Sequence, residues 1–586
     1  MPPRPSLFRR FGPALLAAVL CFAALPAVAQ ETPAPGDYSG DSGAFLAARV
    51  AANNSDYRAA ADWFTRALVS DPKNPELLEG AILANIGLGE VEPAATLARA
   101  LEGLGEDLGV TSEVGHLSLL TEAILADDFD AALKRSDVGA KSGALLDSLL
   151  QAWSQVGLGQ MSAATETLDK VAKTKGTEAF GLYHKALALA AAGDFEGADA
   201  ILSGKAGGSV QLTRRGVFAH AQVLSQLERN PDALALLDAN FVPEPDPEVD
   251  SLRRRLTAGE PVPFDVVKTP RDGMAEVFHN LAIALNQEDN ATYTLIYART
   301  AQALRPDLTE SALLVAGLLE QQGQHDLAIA AYATVPPDSP MSYIAEIGRA
   351  DATRATGRTD AAIEVLQGLV RAQPTLLAAQ TALADAYRRE ERFAEARDAY
   401  TAAIDLLGTV QPGNWPLFFS RGICAERLGD FAATEADMRE ALRLNPDQPQ
   451  VLNYLGYSFV DRGVNLDEAL GMIERAVAAE PGSGYIIDSL AWAYYRLGRY
   501  DDAVAPMEQA SLLEPVDPIV TDHLGDVYWK NDRKLEARFQ WRRALSFEPT
   551  DTDKTRILRK IDVGLDVVMA EEGTAKPAVK AAENGN

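Results

Sequence analysis

Residues 482–515 read GSGYIIDSLAWAYYRLGRYDDAVAPMEQASLLEP, and residues 516–549 read VDPIVTDHLGDVYWKNDRKLEARFQWRRALSFEP. Set one above the other, these blocks agree in residue type at fixed places. Leu490-Ala491 falls over Leu524-Gly525, Tyr494 over Tyr528, Gly498 over Asp532, Ala503 over Ala537, Ala510 over Ala544 and Pro515 over Pro549. Each type has a physical reason at its place. Alanine or glycine stands where two helix backbones approach most closely, because a larger side chain would force them apart. Gly498 ends a first helix, where a left-handed residue costs least in glycine. Pro515 and Pro549 close a second helix, since proline cannot continue one. Tyr494 and Tyr528 are the large side chains that fill the space between helices.

The interval holds along the chain. Stepping back finds Gly456, Phe459, Gly463, Ala476 and Pro481, with one extra residue at the Asn465-Leu466 turn. Gly422, Gly429, Ala441 and Pro446 come before them, then Ala384, Tyr387, Ala396 and Tyr400, then Ala350, Gly357 and Ala362. Ala316, Gly323 and Ala328 and finally Ala282, Ala301 and Pro306 complete eight units. Earlier in the chain the beat is looser but present, from Ala48, Tyr57, Phe64 and Pro72 through Gly89, Phe129, Gly159 and Gly193 to a weak sixth unit at Gln222 and Ala233. A repeat of this period is the signature of stacked helical hairpins, none of which can bury its apolar face alone. The pattern resembles the tetratricopeptide repeat (TPR). It predicts an all-α, right-handed superhelical solenoid of about fourteen hairpins in two segments, residues 42–240 and 274–566.

Between the segments, residues 241–273 miss the repeat and carry six prolines, from Pro243 to Pro270. They read as a joint, or alternatively as a wedge packed between the halves, with a short helix expected around Ser251–Leu256. Residues 30–41 and 567–586 are small, polar and unpatterned and are expected to be disordered.

At 586 residues the chain is too long for a single core, which a repeat array resolves by spreading its core in one dimension. Lys and Arg number 54 against 83 Asp and Glu, a formal charge of −29. So acidic a surface argues against nucleic-acid binding. Residues 1–29 are laid out as a cleaved secretory signal peptide: Arg4, Arg9 and Arg10, an apolar stretch from Phe11 to Ala24, then Ala27-Val28-Ala29 before Gln30. They predict a periplasmic protein. Leu20 precedes Cys21 where a lipidation site needs a small residue, so lipidation is not expected and any membrane association is indirect.

Chemistry is sparse. Six histidines (His116, His184, His220, His279, His325 and His523) are scattered, with no pair spaced to chelate a metal. Gly87-Leu88-Gly89 and Gly157-Leu158-Gly159 are turn glycines in repeat register, and Cys424 sits on a core helix with no histidine base beside it. The reading is a non-enzyme with no cofactor and no metal. The informative positions are the second, fifth, ninth and twelfth of each first helix, which face the concave side. In the last units these include Asn453, Tyr457, Tyr485, Asp488, Trp492, Tyr495, Asp522, Asp526 and Trp529. Asp488, Trp492 and Tyr495 share one helical face. The expectation is an aromatic strip edged with carboxylates, suited to an extended peptide or partner helix with apolar and basic side chains. The alternative is that Trp492 and Trp529 pack against the next repeat. A basic clamp for a partner's terminal carboxylate is missing.

The runs Asn453-Tyr454-Leu455-Gly456-Tyr457, Leu466-Asp467-Glu468-Ala469, Asp488-Ser489-Leu490-Ala491-Trp492-Ala493-Tyr494-Tyr495 and His523-Leu524-Gly525-Asp526-Val527-Tyr528-Trp529 resemble bacterial envelope TPR proteins. Among these are outer-membrane adaptor lipoproteins that bind carboxyl-terminal processing proteases and present their substrates. The resemblance covers residues 415–550 and departs from that group in the missing lipidation cysteine and in Ala491 where glycine is usual. It implies an adaptor that binds other proteins, such as a carboxyl-terminal processing protease and its clients. A second reading is a structural scaffold for an envelope assembly, secretion or polysaccharide-export complex.

Overall fold

The computed structural model describes residues 41–108, 112–137, 143–205, 212–241, 246–286 and 291–573. The expected signal peptide, Cys21, residues 30–40 and the tail beyond Gly573 lie outside them. Six hairpins come first: α1 (Ser42–Asn53) with α2 (Tyr57–Ser70), α3 (Pro75–Leu88) with α4 (Val91–Leu108), α5 (Glu113–Leu125) with α6 (Phe129–Asp137), α7 (Ala144–Gly157) with α8 (Met161–Lys173), α9 (Glu178–Ala191) with α10 (Phe195–Leu202), and α11 (Arg214–Gln226) with α12 (Asn230–Asn240). A single helix follows, α13 (Pro247–Thr257). Eight more hairpins pair α14 (Pro270–Asn286) with α15 (Ala291–Leu304), α16 (Thr309–Gln321) with α17 (His325–Tyr332), α18 (Ser342–Ala355) with α19 (Thr359–Ala372), α20 (Leu377–Arg389) with α21 (Phe393–Asp405), α22 (Trp415–Arg427) with α23 (Phe431–Leu444), α24 (Pro449–Arg462) with α25 (Leu466–Ala479), α26 (Gly484–Arg496) with α27 (Tyr500–Leu513), and α28 (Pro518–Lys530) with α29 (Lys534–Leu545). Two helices follow among the described residues, α30 (Asp551–Val563) and α31 (Leu565–Glu571). Among the described residues there is no strand, and the solenoid of fourteen hairpins is the one the repeat predicts.

The repeat residues do the work expected of them. Gly429 and Gly498 take φ of +78° and +73° directly after a first helix, and Asp532 replaces the glycine at +59°. Gly525 lies against Trp541, where a Cβ would sit 2.4 Å from the indole. Ala503, Ala510, Ala537 and Ala544 are fully buried between helices.

Two regions differ from expectation. The helix inside the proline-rich stretch is longer than Ser251–Leu256, because Asp246 caps the backbone N–H groups of Glu248 and Val249 and Pro247 opens its first turn. The stretch expected to be a disordered tail from residue 567 begins inside α31, where Val568 is buried.

The proline-rich stretch also delivers the next hairpin into the N-terminal groove. Asp265 exchanges hydrogen bonds with Gln222 of α11, and Val262 takes one from Gln226. From there α14 and α15 lie along the concave face, packed against the first helices α3, α5, α7 and α9. Ten consecutive residues of α14, Gly273–Ala282, are buried, as are ten in each of the covered first helices α11 and α28. Glu276, wholly buried, takes hydrogen bonds from Tyr183 at 3.0 Å and from Arg215 at 2.8 Å, and Arg215 also meets Glu310 at 2.9 Å. Burial pushes the Glu276 carboxyl up, but the Arg215 guanidinium together with His279 and His184 holds the pKa below the usual range. Farther along, Arg299 donates to the Gly87 carbonyl and Tyr57 to Gln322. One apolar core therefore runs from Leu78 to Ala352 without a break at residues 241–273.

Candidate binding groove

The first helix of each later hairpin lines the concave side, so side chains at its fifth, ninth and twelfth positions form rungs across the groove. On α22 these are Phe419, Ile423 and Glu426, all half-buried. On α24, Asn453 and Tyr457 are half-buried; burial first, then the nearby carboxylates of Asp488 and Asp461, raise the Tyr457 phenol to about 12. Phe419 meets Tyr454 edge-on at 5.8 Å, and Tyr454 donates to Glu426. The Asn453 side-chain oxygen is buried and accepts no hydrogen bond among the described residues. A buried polar atom left so costs about 1–3 kcal/mol unless something supplies its partner.

On α26, Tyr485 stands at the rim, 55% exposed. Asp488 is buried and bonded to His523 of α28 at 3.0 Å. Burial disfavours the charged imidazole, but the Asp488 carboxylate outweighs it, so the His523 pKa is raised. Trp492 is half-buried, stacked face to face on Tyr495 at 4.6 Å and on His523 at 4.0 Å. These rings form the floor where the open strip meets the end of the solenoid.

The remaining expected residues do not face an open groove. Asp522 and Asp526 are buried beneath α30, where Lys560, itself wholly buried, reaches both at 2.7 Å. Trp541 donates to Asp526 at 2.9 Å. Burial raises the Asp522 pKa, with Lys560 opposing it. Tyr495 and Trp529 are buried under α31: Tyr495 donates to the Met569 sulfur at 3.7 Å and Trp529 to Asp566 at 2.8 Å. The carboxylates expected to greet a basic partner are thus answered internally, by His523 and Lys560. The open part runs instead from Phe419 and Ile423 through Asn453 and Tyr457 to Trp492, edged by Tyr485. Phe419 and Ile423 stand in the same register as Asn453 and Tyr457 one repeat earlier, so the repeat alone could have found them. Lys560 and α31 follow the last repeat, and no periodicity points to them.

Among the described residues no group of three His, Cys, Asp or Glu is placed to hold a metal. Cys424 is buried on α22, and burial raises its thiol to about 11. No described helix is long and apolar enough to cross a membrane.

Concave rungs repeating with the period of the hairpins define a helical-repeat solenoid. The chain belongs to the tetratricopeptide-repeat family: the family model matches residues 45–107, 316–376, 347–409, 381–449, 419–484 and 489–549, half of the chain. It is 30% identical over 184 residues to a TPR repeat-containing protein of Pseudomonas aeruginosa, a match that takes in 31% of this chain and 30% of that relative. Similar solved structures include the APC/C hetero-tetramer Cut9–Hcn1, at 16% identity and a TM-score of 0.36 over 88% of this chain and 95% of that one. Yeast Tom70 matches at 14% identity and a TM-score of 0.32 over 92% and 100%.

Proposed function

We propose that this chain is a non-catalytic adaptor of the bacterial cell envelope, exported to the periplasm by residues 1–29, that holds an extended stretch of a partner protein in the groove of α22, α24 and α26. Recruitment of clients to a carboxyl-terminal processing protease is the role we assign to it. The observation that carries the reading is Asn453. Its side-chain oxygen is buried and unpartnered in the middle of an aromatic trough, and whichever way the carboxamide turns, a peptide N–H or C=O completes it. Phe419, Ile423, Tyr457 and Trp492 around it give apolar side chains of the partner a place to lie. Aromatic residues so placed often act as hot spots of about 2 kcal/mol or more.

The test is a processing assay in which the purified chain is added to a periplasmic carboxyl-terminal processing protease and its client. Cleavage should accelerate, and Ile423→Asp with Tyr457→Asp should abolish the acceleration while the helical signal stays unchanged. An unaffected cleavage rate, combined with co-purification in an envelope assembly complex, would replace the adaptor by a structural scaffold.

A further inference from the structure

The last helix lies where a partner would. Tyr495 and Trp529 hold the same register position in successive first helices, and α31 crosses both. It therefore runs across the rungs of the groove, as an external ligand would. Leu565 is buried in the apolar core of the last hairpins and Val568 beside α30, and Asp566 takes hydrogen bonds from Trp529 at 2.8 Å and Lys530 at 2.6 Å. Through the Trp492–Tyr495 stack the seat is continuous with the open strip.

Several features make α31 a removable occupant. It is seven residues long, too short to be stable as a helix by itself. It hangs from Gly564, whose φ of +90° no side chain adopts easily and where a Cβ would lie 2.5 Å from the Trp529 ring. Its other ionic ties, Arg559 to Glu571 and Arg556 to Glu572, are exposed or half-exposed, and such pairs hold weakly. Asp522 and Asp526 beneath are matched by Lys560 of α30, so lifting α31 uncovers aromatic surface without stranding a buried charge.

We propose that the seat of α31 is a partner subsite held closed in cis, and that it accepts a partner helix with the chemistry α31 displays. That chemistry is an aliphatic residue followed at once by a carboxylate, with a second aliphatic residue and a thioether or similar apolar side chain three and four positions on, as in Leu565, Asp566, Val568 and Met569. The carboxylate pairs with the Trp529 indole N–H and Lys530. This rests on the reading that the groove holds partner polypeptide, and it adds that part of the groove opens only when α31 leaves.

The probe is a stapled helical peptide with the sequence of residues 563–573, which is pre-organised and so binds without the cost of ordering. Its affinity is measured for the full chain, for the chain ending at Gly564, and for full-length Val568→Asp, in which a buried charge expels α31. The shortened chain and Val568→Asp should each bind the peptide at least ten-fold more tightly than the full chain. Asp566→Asn in the peptide should erase most of that gain, and should matter little once Trp529→Phe with Lys530→Met has removed both donors. Equal affinity for the full chain and Val568→Asp, with helicity intact, would overturn the proposal. Failure of the groove reading looks different: the peptide binds the opened seat, yet Ile423→Asp with Tyr457→Asp leaves client processing unaffected.

Discussion

The same repeat builds two grooves with opposite fates. The N-terminal one is filled along its length by α14 and α15, which bury ten consecutive residues of α14 and seal a charged network inside. The C-terminal one carries open aromatic rungs on α22, α24 and α26 and is covered only at its end, by α30 and the short α31. What fills the first groove is a whole hairpin along its length; what covers the second is α30 with its buried Lys560 at the very end and, beyond it, seven residues of α31 whose ion pairs lie at the surface. A concave face therefore does not announce a binding site by itself. What lies on it decides.

The largest effect should come from the network that pins the N-terminal filling. Arg215→Met leaves Glu276 buried with only the Tyr183 hydroxyl, and removing one partner of a buried pair costs about 3–5 kcal/mol. Calorimetry should show the N-terminal transition falling by that amount while the C-terminal one stays. Next is Lys560→Met, which leaves Asp522 and Asp526 with only the looser ion pairs to Arg556 at 3.7 and 3.8 Å and should lower the C-terminal transition by about 3 kcal/mol, read by urea denaturation followed through Trp529 and Trp541 fluorescence. These two substitutions act on opposite ends, so their effects should add.

The halves should also respond to pH in opposite directions. His184 is buried with its pKa lowered to about 4 by desolvation. A group depressed below its unfolded value near 6.5 must stay neutral to remain folded. Its contribution is lost as pH falls from that value toward 4, roughly 2 kcal/mol at pH 5. His523 is the reverse, its pKa raised by Asp488 against the effect of burial. Its contribution is present below the unfolded value and is lost as pH climbs through the raised one. Thermal scans between pH 8 and pH 5 should show the N-terminal transition moving down on acidification. The seat of α31 gains from His523 over the same range, an effect that His523→Gln should remove. The smallest effect should be Asn453→Ala, which leaves stability unchanged or slightly raised and weakens partner binding by about 1 kcal/mol, measurable by titration calorimetry with the client.

The hairpins were legible because the residues that set them act locally. Gly429 and Gly498 must reverse the chain, Ala503 and Ala537 must be small, and each appears at its interval wherever the hairpin recurs. The filling of a groove is not local. The period reports contacts between neighbouring helices and says nothing of what rests on their concave side, so Tyr495, Asp522, Asp526 and Trp529 read as open when α30 and α31 cover them. The trace in the sequence was slight: Met274, Ala275, Val277, Phe278, Leu281 and Ala282 fall on one arc of α14, as on any amphipathic helix, and the opposite face, which is also buried, carries Glu276, His279 and Asn280. No such trace marks α31, whose seven residues fall below the length at which periodicity can be read.

Hydroxyl-radical footprinting of the unliganded chain tests the central contrast without knowing the partner. Phe419, Tyr457 and Trp492 should be modified readily under native conditions, whereas Met274, Phe278 and Trp153 should stay protected until the N-terminal half unfolds. Modification of Met274 and Phe278 as fast as that of Phe419 would mean that the N-terminal groove stands open and that the contrast drawn between the two halves is mistaken.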